Sequence, residues 1–351
     1  LLVPTEILAR QHFSDLYDFF TPLGINVTIL IADMVKSEKE RAREAIRSGK
    51  AQIIVGTHAL LTDKVVYSGL GLVVCDEQHR FGVVQRETLL SRGEGVHMLV
   101  MSATPIPRTL NMAMSGIRDM STIEQAPNDR YPVQTYVMEQ DWGVIAEALK
   151  KELRRGGQVF YLHNNVESIE AKAARLSSQI PEASIGVGHG KMSEQQLSKV
   201  WSDMLEQKIN VLVCTTIIET GVDIANANTM IIENADRFGL SQLHQLRGRV
   251  GRSSLQSYCL LVSTSKNEET RQRLGIMEET NNGFVIAEKD LQIRGPGEFL
   301  GVRQSGLPDF SIADITKDVK ILEMARKDAF EIVSTSKIKE YANLQSALDE
   351  K

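Results

Sequence analysis

Two short runs carry residue types that can do chemistry together. Asp76-Glu77-Gln78-His79 places two carboxylates directly after the apolar run Leu70–Cys75. Gln245-Leu246-Arg247-Gly248-Arg249-Val250-Gly251-Arg252 places guanidinium groups on backbone loosened by glycine. Carboxylates can hold Mg²⁺, usually through water, and can position an attacking water. Guanidiniums offer planar forks to phosphate oxygens and can offset the charge that builds there. Acids on one side of a cleft and arginines on the other would suit phosphoryl transfer. The G-x-x-x-x-G-K-[ST] phosphate loop occurs nowhere in the sequence. Gly188-His189-Gly190-Lys191-Met192 does not replace it, because Met follows the Lys and the first Gly is too close. The expectation is that such a loop precedes Leu1. A chain starting at Leu1 is then expected to bind nucleotide poorly and not to hydrolyse it.

The elements that must hold these residues follow from hydrophobic patterning. Val27–Ile31, Gln52–Val55, Leu70–Cys75 and His97–Met101 read as strands, with helix-like segments such as Ser37–Ser48 between them. Ala126–Pro132, with two prolines and polar filling, reads as a linker. The alternation restarts with strands at Gln158–His163, Ser184–Val187, Val211–Thr215, Thr229–Ile232 and Tyr258–Val262. Amphipathic helices are expected at Trp142–Arg155, Val166–Gln179 and Ser193–Gln207, and further helices at Lys266–Glu279 and Asp314–Val333. The expected fold is α/β, with two lobes of mainly parallel sheet and a C-terminal helical segment. The expected boundaries are 1–127, a linker at 128–132, 133–264 and 265–351.

Composition narrows the class. The chain has 351 residues, a net charge of −5 and 42% hydrophobic residues, as in an ordinary globular protein of two or more domains. Bulk charge does not mark a polyanion binder, so a nucleic-acid surface would need local Arg and Lys placement. Cys75, Cys214 and Cys259 lie in apolar runs and lack C-x-x-C pairing, which reads as reduced core. No apolar stretch reaches the length of about 20 residues that spans a bilayer. The N-terminal residues do not form a secretory signal, so a cytoplasmic location and no membrane partner are expected.

The run Val211–Asp223 is a strand entering a polar turn. Thr215, Thr216 and Thr220 can offer hydroxyls, Gly221 can admit a ligand close to the backbone, and Asp223 can take a ribose hydroxyl. The same run also reads as a helix start capped by Thr216 and Glu219.

Taken in order, these motifs resemble superfamily 2 helicases. Asp76–His79 resembles their hydrolysis motif, and Pro4–Gln11, Gly56–Leu60 and Ser102–Pro107 resemble further motifs of a first RecA-like lobe. The resemblance implies ATP and Mg²⁺ as cofactors, with Glu77 activating water and Asp76 helping to hold the metal. It implies that Arg249 and Arg252 face the γ-phosphate, with Gln245, Gly221 and Asp223 on the nucleotide. Gln78, His79, Ser102 and Thr104 would couple hydrolysis to motion. Thr5, Arg10, Thr57, His58, His189, Thr215 and Thr216 would touch DNA. Phe284–Glu298 and Arg303–Pro308 resemble the translocation motif of RecG helicases, with Arg294 and Gln304 in the lever. Asn111–Gly116 and the stretch from Gly157 to about Thr220 are more similar to the transcription-repair coupling translocases. The implied function is an ATP-dependent translocase on duplex and branched DNA, with replication forks and Holliday junctions as substrates. A coupling translocase, an RNA helicase and a binding module without turnover remain as alternatives.

Overall fold

In a computed structural model, residues 1–77, 81, 88–89, 91–93, 95–103, 120–123, 131–220, 222–294, 319–334 and 341 are described. The chain divides into two compact units. One comprises Leu1–Thr104, Asp129–Phe238 and Gln242–Glu278; the other comprises Pro105–Asn128, Gly239–Ser241 and Glu279–Lys351.

The first unit holds two parallel arrays. In the N-terminal array, β1 (Val27–Leu30) pairs with β2 (Ile53–Gly56), and β3 (Leu72–Cys75) pairs with β4 (His97–Val100). Leu2 bridges the two pairs, in parallel with both Gly56 and Cys75. Around it, α1 (Glu6–Phe20) begins where Thr5 Oγ1 accepts the Leu8 N–H at 3.4 Å, with Glu6 in the first turn. That is a favourable helix start, because the hydroxyl satisfies an orphan donor and the acid complements the helix dipole. α2 (Lys36–Arg47) buries only Ala42 and Ile46, the two small faces it can offer between charges.

The second array is a six-stranded parallel sheet. Its strands are β5 (Gln134–Glu139), β6 (Gln158–Leu162), β7 (Ile185–Gly188), β8 (Val211–Cys214), β9 (Ala227–Ile232) and β10 (Tyr258–Ser263), in the spatial order β5-β10-β9-β6-β8-β7. β6, β8 and β9 are buried along their whole length, as strands covered on both faces must be. Ile145 and Leu149 of α3 (Trp142–Arg154) and Ile169, Ala173 and Leu176 of α4 (Ile169–Gln179) pack into that core. A Ser193–Gln196 capping box starts α5 (Glu194–Leu205). Cys75, Cys214 and Cys259 are buried and none forms a disulfide. α6 (Leu240–Arg247) and α7 (Glu268–Glu279) complete this part.

The fold is the α/β arrangement expected from the sequence. Among the elements that escaped the patterning are β5 and α6. β5 is an edge strand whose Gln134, Thr135 and Glu139 interrupt any apolar run. α6 is short, and its Leu240, Leu243 and Leu246 are all buried. At Thr216–Thr220 the chain forms a 3-10 stretch rather than the start of an α-helix.

In the second unit, α8 (Gly283–Arg294) buries Ile286, Ala287 and Leu291, and α9 (Val319–Ser334) follows. Asp290 is buried on α8 and accepts from Ser241 Oγ at 2.9 Å. Among the described residues, no helix is long and apolar enough to cross a membrane.

Candidate nucleotide-hydrolysis site

β3 delivers the acids at its C-terminal end, where ligands bind in parallel α/β sheets. The Asp76 N–H donates to the Leu2 carbonyl at 3.0 Å, which carries the ladder one residue past the strand. The Glu77 N–H then turns back onto Asp76 Oδ1 at 2.9 Å. Glu77 itself has φ of 51°, in the left-handed region. A non-glycine residue there costs about 1 kcal/mol, and such strain concentrates at functional sites. Asp76 Oδ2 lies 3.7 Å from Nε2 of His12 on α1. The His12 contact holds the Asp76 carboxyl below the usual carboxylate range; burial opposes this and the Glu77 N–H supports it. Asp76 is therefore ionised and ready for a cation.

The arginines come from the end of α6. Gly251, at φ of 80°, turns the chain where a Cβ would meet Val133 Cγ2 at 2.8 Å. The three guanidiniums then part company. Arg247 is buried and structural: its Nη1 donates to the Met277 carbonyl at 2.7 Å and to Thr135 Oγ1 at 3.2 Å. Arg249 turns to the acids. Its Nη2 donates to the Glu219 carbonyl at 2.8 Å and lies 3.7 Å from Glu77 Oε1, with both side chains 9% exposed. Among the described residues, its Nε is buried without a hydrogen-bond partner. Burial pushes the Arg249 guanidinium down from its ordinary value, as does Arg252, against the pull of Glu77, Glu219 and Asp76. Arginine does not give up its proton in proteins, so this is an under-solvated cation with a spare donor, a setting that suits an anion. Arg252 Nη1 pairs with Asp223 Oδ1 at 3.0 Å. It is thus Arg249, not Arg252, that meets Glu77.

Sequence reading missed the contribution of two consecutive α1 residues. Gln11 Oε1 accepts from the Asp223 N–H at 3.3 Å, and His12 reaches Asp76. Only the polar run Arg10-Gln11-His12 hinted at them.

The other expected site residues are spread around these. Thr5 caps α1, Arg10 and His58 are exposed, and Thr57 is buried with its Oγ1 unpartnered among the described residues. His189 follows β7, half-buried, and its Nδ1 accepts the Lys191 N–H at 3.3 Å. Thr215 is buried past β8 and its N–H donates to the Gly188 carbonyl at 3.1 Å, while Thr216 opens the 3-10 stretch. Ser102 is exposed beyond β4, and Gln245 is half-buried on α6. Gln78, His79, Thr104, Gly221 and Gln304 lie outside the described residues, as does the side chain of Arg294.

The donors present fit Mg²⁺ with a nucleotide. Among the described residues no group of three or more His, Cys, Asp or Glu gathers, so protein ligands do not close a metal shell. Asp76 with Glu77 suits a hard cation that keeps waters and shares phosphate oxygens, as Mg²⁺ does. The spare Arg249 Nε fits a phosphate oxygen.

His244 ties the arginine turn to pH. Burial, helped by Arg247, pushes its pKa down from 6.5 to about 4, and the neutral Nδ1 accepts from Arg247 Nη2 at 3.3 Å. The unfolded chain takes up this proton near 6.5 and the folded chain near 4. The stabilisation is thus whole above 6.5 and lost as pH falls toward 4. At one pKa unit per 1.36 kcal/mol, the loss reaches about 3 kcal/mol. Denaturant midpoints measured from neutral pH to the acid side of this window are expected to fall, and His244→Gln is expected to flatten that part of the curve. An unchanged slope in the variant would remove His244 as the cause.

Comparisons with known proteins bear on the fold and on the relatives of the chain. DEAD/DEAH box helicase matches residues 1–113, and the helicase conserved C-terminal domain matches residues 144–254. ATP-dependent DNA helicase RecG, domain 3, C-terminal, matches residues 280–348. The chain is 45% identical to the ATP-dependent DNA helicase RecG of Streptococcus pneumoniae over 344 residues, covering 95% of this chain and 51% of that one. It is 48% identical to the transcription-repair-coupling factor of Haemophilus influenzae over 312 residues, covering 87% of this chain and 27% of that one. A structure of RecG bound to a three-way DNA junction superimposes with a TM-score of 0.74 at 40% identity, covering 92% of this chain and 43% of that chain. The chain therefore spans about half the length of the RecG relatives, and less of the coupling factors. With a segment that matches RecG domain 3 following two helicase domains in the same order, the chain is similar to the RecG DNA helicases along nearly its whole length.

Proposed function

We propose that this chain is part of the motor of an ATP-dependent double-stranded DNA translocase acting on branched DNA such as replication forks and Holliday junctions. The observation that carries the reading is the 3.7 Å approach of Glu77, from the N-terminal array, to Arg249, from the six-stranded array. The division that fits it is a first RecA-like lobe at 1–127, a linker at 128–132, a second lobe at 133–264 and a translocation segment at 265–351. Asp76 would hold Mg²⁺ largely through water, and the metal when bound would neutralise phosphate charge. Glu77 would orient and deprotonate water. Arg249 and Arg252 would face the terminal phosphate, with Asp223 near the ribose. Gln78, His79, Ser102 and Thr104 would pass the hydrolysis state to the DNA-facing Thr5, Arg10, Thr57, His58, His189, Thr215 and Thr216. Contacts mainly to phosphates make binding salt-sensitive and weakly sequence-dependent.

The test is steady-state ATP turnover by the protein that carries this sequence, with linear duplex, a four-way junction or RNA. Strongest stimulation by the junction is expected. Stimulation by RNA alone, or DNA binding that ignores nucleotide and never gives turnover, would overturn the reading. Equal stimulation by linear duplex would favour the coupling translocase, the reading that the coupling-factor identity supports. Arg294→Ala is expected to keep hydrolysis while cutting base pairs moved per ATP. Loss of hydrolysis at an unchanged ratio would remove Arg294 from the lever.

A further inference from the structure

α1 is the element through which the proposed DNA contacts Thr5 and Arg10 adjoin the acids. Its residues 11 and 12 make two different long-range contacts. Gln11 Oε1 takes the Asp223 N–H at 3.3 Å, on the turn whose carboxylate pairs with Arg252. His12 Nε2 lies 3.7 Å from Asp76 Oδ2. Among the described residues, Asp76 is otherwise held through its backbone at the Leu2 carbonyl and by accepting the Glu77 N–H on Oδ1, with the Arg249 charge acting on it. With Oδ1 so occupied, the orientation of Oδ2 depends on His12. The imidazole is 34% exposed, so it does not serve as core filling.

We infer that His12 is a positioning residue: it aims the Asp76 carboxylate at the metal and, with Gln11, links the DNA-facing helix α1 to both halves of the hydrolysis site. The inference rests on the function proposed above and names what orients the metal-side acid. In physical terms, a displacement of α1 by DNA would reach Asp76 through His12 and the Arg252 turn through Gln11. Hydrolysis would then respond to DNA without any residue touching both DNA and nucleotide.

The test is Mn²⁺ binding, read by electron paramagnetic resonance with a non-hydrolysable ATP analogue, in the protein that carries this sequence (the parent) and in its His12→Ala and His12→Gln variants. Duplex affinity is measured in parallel. His12→Ala is expected to weaken Mn²⁺ binding by about tenfold, the lower range for partners that orient metal ligands. His12→Gln is expected to restore most of it, because its amide N–H can replace the Nε2 donor. Duplex affinity should stay as in the parent in both variants, which a general loss of structure would not allow. Unchanged Mn²⁺ affinity in His12→Ala, or a Gln variant no better than Ala, would overturn the inference. A parent that binds no Mn²⁺ with the analogue and shows no DNA-stimulated turnover would overturn the function reading instead.

Discussion

In the protein that carries this sequence, Glu77→Gln is expected to leave ATP binding intact and to slow ATP turnover by about 10²-fold or more, the contribution of a positioned general base. Gln keeps the size and the polar contacts of the side chain but cannot accept the proton of an attacking water. The backbone supports the assignment: the chain accepts φ of 51° at a glutamate when glycine would sit there without strain. Glu77→Gly is the informative companion. It should fold at least as stably, because the left-handed strain is relieved, and it should be as inactive as the Gln variant. Nucleotide binding, thermal melting and single-turnover hydrolysis on the three proteins check this. Hydrolysis retained in Glu77→Gln would remove the residue from its role.

Arg249→Ala is expected to lower DNA-stimulated turnover by about 10³-fold, the lower end for an arginine that stabilises phosphoryl-transfer charge. Geometry separates this arginine from its neighbours. Arg247 is committed to Met277 and Thr135, and Arg252 is paired with Asp223. Among the described residues, Arg249 is the one of the three within ion-pair range of Glu77, and it keeps a buried Nε without a hydrogen-bond partner there. Arg249→Lys should recover little, because an ammonium cannot reproduce the planar fork. Turnover by the Ala variant within a few-fold of the parent would show that the under-solvated cation serves packing rather than phosphate.

The parts legible in the sequence were those whose signal is local. The apolar runs that became β6, β8 and β10 announced themselves because strands buried on both faces carry no polar interruptions. The acid pair was legible because it ends such a run. β5 was not, since an edge strand tolerates Gln134, Thr135 and Glu139. After β8 the sequence allowed both a polar turn and a capped helix start; Thr216 and Glu219 satisfy the capping pattern, yet the chain closes a 3-10 stretch there. Within the site, sequence order could not say which of three arginines faces the acids, because that depends on how α6 ends at Gly251. Nor could it place His12 on Asp76, a contact between residues 64 positions apart that exists only once α1 packs against β1 and β2. The left-handed Glu77 likewise has no sequence signature.

The most direct test of one shared cleft is a crystal structure of the protein that carries this sequence with Mg²⁺ and a non-hydrolysable ATP analogue. The expected result is Asp76 on the metal side and Arg249 within hydrogen-bond distance of a γ-phosphate oxygen, with Glu77 released toward the attacking water. A nucleotide bound with Arg249 still on Glu77 and remote from every phosphate, or with the acids facing no metal, would contradict it.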